Sequence, residues 1–325
     1  AAAWWLYIFN WIVHVTIPGY VVLCLYLALY PTAFVLILRP VHRRLGLPAV
    51  IDVPLIWVGL EYMRGIMLTG LPWTLIGHSQ PTVMIQTADF AGAYGVSFVV
   101  AMTSGLIVDL LTRPLFRRAG FRTRLVRTFR FGLTLWLIAV AGSLAYGIYR
   151  LRQTESIHEA ASSLPVAVVQ TNVPQSNKNR PTLALEQAWF NEALDMSRQA
   201  ADQGARLIVW PETMVPGSLN EESMAVARWA EQQLEADAPD APMAEDRRAG
   251  LRRIAHYAVN RQALEELAER ERAAVVVGAH AVENWATDDL RRFNTAYLFT
   301  PDGVMRERYD KVHRVPFGEY IPWVS

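Results

Sequence analysis

The sequence predicts a polytopic α-helical membrane domain followed by an α/β layered domain, and three observations lead there. Residues 1–150 hold only four carboxylates (Asp52, Glu61, Asp89, Asp109) among long apolar runs, whereas 151–325 is charge-rich and mixed. Four segments of the first half are apolar enough, and long enough, to cross a bilayer. In the second half short β-branched runs alternate with helical patterns, which reads as strands layered with helices. A chain of 325 residues can hold both, with domains expected at 1–150 and 151–325.

The expected spans are 20–38, 51–69, 91–111 and 131–149. Each has about 19 to 21 residues, and at about 1.5 Å per residue that covers about 30 Å of hydrocarbon. Ahead of them, 4–17 reads as the tail of a further, partial span, broken by Pro18-Gly19; Trp4, Trp5, Tyr7 and Trp11 suit an interfacial belt. Loop 39–50 carries Arg39, Arg43 and Arg44, and loop 112–130 carries seven arginines without an acid, whereas 70–90 has neither Lys nor Arg. By the positive-inside rule the first two loops are cytoplasmic and 70–90 is external, so the chain after Arg150 lies outside, in the periplasm of a bacterium. The arginine loop is read as membrane-flanking rather than as a nucleic-acid patch, and no nucleic-acid partner is expected. Glu61 and Arg64 stand i, i+3 on one span and are expected to pair with each other. In the loop Gly70-Leu-Pro-Trp73-Thr-Leu-Ile-Gly-His-Ser-Gln80, Trp73 reads as an interfacial anchor or as the wall of a lipid-entry groove.

Beyond Arg150, 164–173 (LPVAVVQTNV) reads as a buried strand. Thr182 to Ala201 reads as an amphipathic helix with Leu185, Trp189, Leu194 and Met196 on its apolar face. A strand comes next at 206–210, then an acidic, Ala/Pro-rich surface insertion with helical pieces at 219–250, and a helix at 252–272. Strands are expected at 273–280, 293–300 and 304–309, the last two joined by a turn at Pro301-Asp-Gly303.

Several chemistries are excluded. The single cysteine, Cys24, rules out a disulfide framework, and the seven histidines are scattered without metal-ligand spacing. Neither glycine-rich phosphate motif occurs, so no metal or cofactor is expected. Carboxylate and amine chemistry remains. Glu212 ends the apolar strand at Trp210-Pro211-Glu212, where Pro211 bars the ladder from continuing. A carboxylate there can be partly desolvated and brought toward general-base duty, or it can be a structural strand end. Lys311 closes another strand and Glu319 sits in a Pro/Gly-rich turn; each reads equally as a solvated surface charge.

Together these runs resemble a known family. WPE at 210–212, FNTAYLF at 293–299 and RYDKVHRVPFGEYIP at 308–322 resemble the nitrilase superfamily, whose Glu-Lys-Cys site sits on an αββα sandwich. Glu61-Tyr-Met-Arg64-Gly, Leu68-Thr-Gly-Leu-Pro-Trp73 and Gly77-His-Ser-Gln80 resemble the apolipoprotein N-acyltransferase family of the bacterial inner membrane. The resemblance implies Glu212 as general base, Lys311 as oxyanion stabiliser and Glu319 as an additional site glutamate. It implies Trp73 and Asn294 as substrate-binding residues. It further implies transfer of an acyl chain from a phospholipid donor to the N-terminal amine of a diacylglyceryl apolipoprotein acceptor, through a cysteine thioester. The alternatives are a membrane-tethered nitrilase-type amidase and a non-catalytic membrane binding module. Because the chain opens on Ala1 and stops at Ser325, it is expected to be a fragment, truncated at both ends, with its nucleophile beyond Ser325.

Overall fold

The computed structural model describes residues 1–14, 16–112, 122–173, 182–237, 244–285 and 287–313. The chain divides into two compact units, 1–161 and 162–325.

The first unit is helical. Helix α1 (Ala2–Ile8) and a 3-10 turn (Asn10–His14) occupy the segment expected as a partial span. They are two short helices rather than one continuous rod, and Trp5, Phe9 and Ile12 bury themselves against Cys24 and Leu27 of α2 (Ile17–Leu45). Pro18 starts α2 rather than merely breaking the chain. It lies in the first turn, where its missing N–H has no helical acceptor to lose, and Thr16 caps that turn through Gly19 N–H. Helix α3 (Ala49–Ile66) comes next, then α4 (Thr82–Ile85), α5 (Ala88–Thr112) and α6 (Arg122–Ala160).

Among the described residues three helices are long and apolar enough to cross a membrane: Ile17–Leu45, Ala88–Leu111 and Phe129–Ala160. The fourth expected span, 51–69, is α-helical only to Ile66, with a 3-10 turn over Met67–Thr69, and is not among them, because the eighteen residues of α3 carry three buried charged side chains, Asp52, Glu61 and Arg64. It is packed tightly all the same. A Cβ on Gly105 of α5 would stand 2.2 Å from the Ala49 carbonyl oxygen, so a hydrogen at that position is what lets α5 meet α3.

In the second unit, strands β1 (Val166–Val168), β2 (Leu207–Val209) and β3 (Ala274–Glu283) run parallel, and β4 (Arg291–Phe299) and β5 (Met305–Asp310) complete one mixed sheet in the order β1-β2-β3-β4-β5. Helices α7 (Leu183–Asp202), α8 (Glu221–Glu235) and α9 (Glu245–Glu271) accompany it. Period-2 alternation decides which residues form the core. Ile208, Val275, Val277, Ala279, Tyr297 and Phe299 point to one face and pack on Phe190, Ala193 and Leu194 of α7 and Leu264 and Leu267 of α9. The apolar face expected for α7 is thus centred one position later, on Phe190, with Trp189 and Met196 at its margin.

The opposite sheet face is open at its β1 edge: Val166 and Val168 are 52% and 77% exposed, and β1 is therefore a half-open strand rather than the buried one expected. A sheet with helices packed on one face is one αβ half of the expected αββα sandwich, and it is the single sheet among the described residues. The 219–250 insertion is more than a surface excursion. Asn220, 6% exposed, hydrogen-bonds both the N–H and the C=O of Val282, and α8 buries Met224, Ala227 and Ala230.

Candidate active site

Strand β2 ends because Pro211 cannot donate to the ladder, and the chain then reverses tightly. Thr213 adopts φ 50°, a left-handed conformation that strains a β-branched residue. The backbone over-determines it: the N–H groups of Met214 and Val215 both donate to the Gly278 carbonyl, at 2.9 and 3.1 Å. Trp210 anchors the strand end from below. Its indole N–H donates to Ser197 Oγ at 2.8 Å and its ring meets Phe190 edge-on at 5.6 Å, both on α7. Gly278 is required by close approach, since a Cβ there would lie 2.6 Å from the Pro211 oxygen and 2.8 Å from Glu212 Cα.

These constraints present Glu212 at the end of the sheet where β5 also finishes. Lys311, the residue after β5, places Nζ 2.9 Å from Glu212 Oε1. Asn294 of β4 donates its side-chain N–H to the same oxygen, and its carbonyl accepts from Lys311 N–H at 2.8 Å. The register of β5 is pinned one residue earlier, where Thr295 donates to Asp310 and Arg308 bridges Asp310 and Glu283. Glu212, Asn294 and Lys311, separated by up to 99 residues in sequence, therefore converge on one oxygen.

The pair is not deeply buried. The Glu212 side chain is 61% exposed and that of Lys311 31%, so among the described residues Glu212, past the strand end, keeps most of its contact with solvent. At such exposure the ion pair contributes less than about 1 kcal/mol to stability, and its worth is positional. Chemically the arrangement offers a carboxylate acceptor with an ammonium and an amide donor beside it, suited to taking a proton and to stabilising an oxyanion formed at the same point. Glu319 lies outside the described residues. Trp73 belongs to the helical unit, where, half-exposed, it stacks on Phe9 at 5.9 Å and meets Trp11 at 5.8 Å.

Sequence reasoning missed two supports of the site. Gly278 was signalled by a lone glycine inside a β-branched strand. The Trp210–Ser197 bond had no signal, because its partners are neighbours only once α7 packs on the sheet.

A model for the carbon–nitrogen hydrolase domain matches residues 165–323, the stretch that carries this site, and so places the second unit in the nitrilase superfamily. The helical unit narrows this, since a model for the apolipoprotein N-acyltransferase N-terminal domain matches residues 1–106. The chain belongs to the apolipoprotein N-acyltransferase family. It is 31% identical to an apolipoprotein N-acyltransferase of Geobacter metallireducens, over 96% of this chain and 51% of that protein. It is 30% identical to one of Methylococcus capsulatus, over 83% of this chain and 42% of that protein. The chain thus spans about half the length of the curated relatives it matches. A nitrilase-superfamily amidase from Nesterenkonia is similar over 46% of this chain and 44% of its own, at 21% identity and a TM-score of 0.27.

Proposed function

We propose that this chain supplies the base and the oxyanion-stabilising cation of a phospholipid-dependent N-acyltransferase of the bacterial inner membrane, its second unit facing the periplasm. The observation that carries the reading is the meeting of Lys311 Nζ and Asn294 with one oxygen of Glu212. The family membership and the three apolar helices support a membrane setting, and the relatives' names support a lipoprotein acceptor.

In this reading Glu212 takes the proton of a cysteine thiol, and the thiolate attacks the sn-1 ester carbonyl of a phospholipid. The carbonyl oxygen becomes an oxyanion beside the Lys311 ammonium. The C–O ester bond then breaks, the glycerol oxygen recovers the proton from Glu212, and an acyl-thioester remains. The α-amine of a diacylglyceryl-cysteine next attacks the thioester, Glu212 accepts its proton, and the thiolate leaves. Glu319 is the additional glutamate of the site, and Trp73 contacts the acyl donor. Cys24 is not the nucleophile. It is fully buried within the apolar helix α2, so the reading needs a thiolate from outside these 325 residues.

The test is acyl-enzyme formation in the full-length protein, followed by mass spectrometry. Parent enzyme supplied with phospholipid should gain the mass of one acyl chain, and Glu212→Gln or Lys311→Met should not. Normal acyl-enzyme in either variant refutes the assignment.

A further inference from the structure

Glu61 and Arg64 do not form the pair that their spacing suggests. Among the described residues neither Glu61 oxygen lies within ion-pair distance of the Arg64 guanidinium, although both side chains are only 4% exposed. Each instead reaches the segment C-terminal to α3. Glu61 Oε1 accepts the backbone N–H of Ile76 at 3.0 Å and the indole N–H of Trp57, one turn back on α3, at 3.0 Å. Arg64 Nη2 donates to the Trp73 carbonyl at 2.9 Å, with its guanidinium 5.5 Å from the centre of the Trp5 ring. The Arg64 backbone carbonyl accepts Leu71 N–H at 2.9 Å, and a Cβ on Gly70 (φ 83°) would lie 2.2 Å from the Gly65 oxygen. Loop 67–80 is therefore folded back along a single stripe of α3, and two buried charged side chains satisfy polar groups of its backbone.

The cost of that burial is visible. Glu61 Oε2 and Arg64 Nε are buried without a hydrogen-bond partner among the described residues, so the two charges are only partly compensated there. The stripe holds a surface in place. Trp73, with the left-handed Thr74 after it, is pinned by its own carbonyl so that its ring joins Trp5, Phe9 and Trp11 in an aromatic cluster with exposed faces. Trp11 and Trp73 are each about half exposed.

We propose that Glu61 and Arg64 are positioning residues for the acyl donor: they fix the 70–78 loop so that the Trp73 ring is presented ready-made to a lipid chain. This rests on the reading that Trp73 contacts the donor. Arg64 acts through the Trp73 carbonyl and not on the reacting atoms, so its loss should weaken donor binding and leave the chemical step alone.

The test uses full-length protein in phospholipid nanodiscs, with hydrogen exchange read by mass spectrometry and donor kinetics read in parallel. Glu61→Ala and Arg64→Gln should each raise exchange in peptides covering 70–78 about tenfold, with α5 peptides (88–112) unchanged as the internal reference. Donor KM should rise about tenfold while the maximal rate of acyl-enzyme formation stays within about twofold. Glu61→Gln keeps a carbonyl oxygen for both N–H groups and should rescue both readouts. Unchanged loop exchange in Glu61→Ala and Arg64→Gln overturns the proposal. So does a rise shared equally by α5, which marks general loosening, or a fall in maximal rate at constant KM, which marks a chemical role. Should the parent enzyme form no acyl-thioester, the functional reading fails while the exchange data still decide the bracket.

Discussion

Replacing Gly278 by alanine tests how the sheet aims its carboxylate. The added methyl would lie 2.6 Å from the Pro211 oxygen, 2.7 Å from the Thr213 nitrogen and 2.8 Å from Glu212 Cα, all backbone atoms that no rotamer change can clear. Restoring ordinary contact near 3.4 Å moves the turn outward by about 0.8 Å. That strain opposes the bonds from Met214 and Val215 N–H to the Gly278 carbonyl, and overpacking of this kind costs about 1–3 kcal/mol. The catalytic consequence should be larger. A displacement near 1 Å of a positioned group costs about a hundredfold in rate, so acyl-thioester formation should fall by that order while the protein remains folded. Single-turnover mass spectrometry of the full-length protein, well below its melting temperature, reads the rate. Gly250→Ala on the exposed surface of α9, where a methyl meets nothing within 4 Å, is the matched control and should keep the parent rate. A Gly278→Ala enzyme acylating within about twofold of its parent would show that the turn does not set the position of Glu212.

Three other outcomes are expected. Gly250→Ala, besides preserving rate, should stabilise by about 0.5–1 kcal/mol through helix propensity, seen as a higher denaturation midpoint. Trp210→Phe keeps the contact with Phe190 but loses the bond to Ser197 Oγ; it should lower stability by about 1–2 kcal/mol, and an unchanged midpoint would show the bond to be worth nothing. In the β4–β5 turn, hydrogen bonds from Thr300 and then Arg306 hold the Asp302 carboxyl down to about 2, below its ordinary 3.8. A depressed carboxylate stabilises the turn above its unfolded value, and that contribution is lost as pH falls toward about 2. The protection factors of the Gly303 and Thr300 amides, whose N–H groups donate to the Thr300 and Val304 carbonyls, should therefore fall in that acid window in the parent, and Asp302→Asn should remove that fall.

Much of the fold was legible because it rests on local patterns. The helix capped by Thr182, the strands around Ile208 and Val277 and the Pro301-Asp-Gly303 turn each derive from periodicity or from turn chemistry within a few residues. Where expectation and structure part, the deciding partner was remote. A partial span was expected at 4–17, yet aromatic side chains draw two short helices against α2. Glu61 and Arg64 have the spacing of a helix pair, yet the returning loop offers an N–H and a carbonyl that compete for them.

The site divides along the same line. The order of residues alone offered Glu212, at a strand end fixed by Pro211, and Lys311, where the last strand closes, as charges that could equally be structural or solvated, and it was the resemblance of their motifs to a family that singled them out. Their meeting could not be read that way. It depends on β5 lying beside β4 so that Lys311 N–H reaches the Asn294 carbonyl, and on Gly278 admitting the Glu212 turn. Hydrogen-bonded register between segments distant in the chain is settled by which faces bury together, and only the packed sheet holds that information.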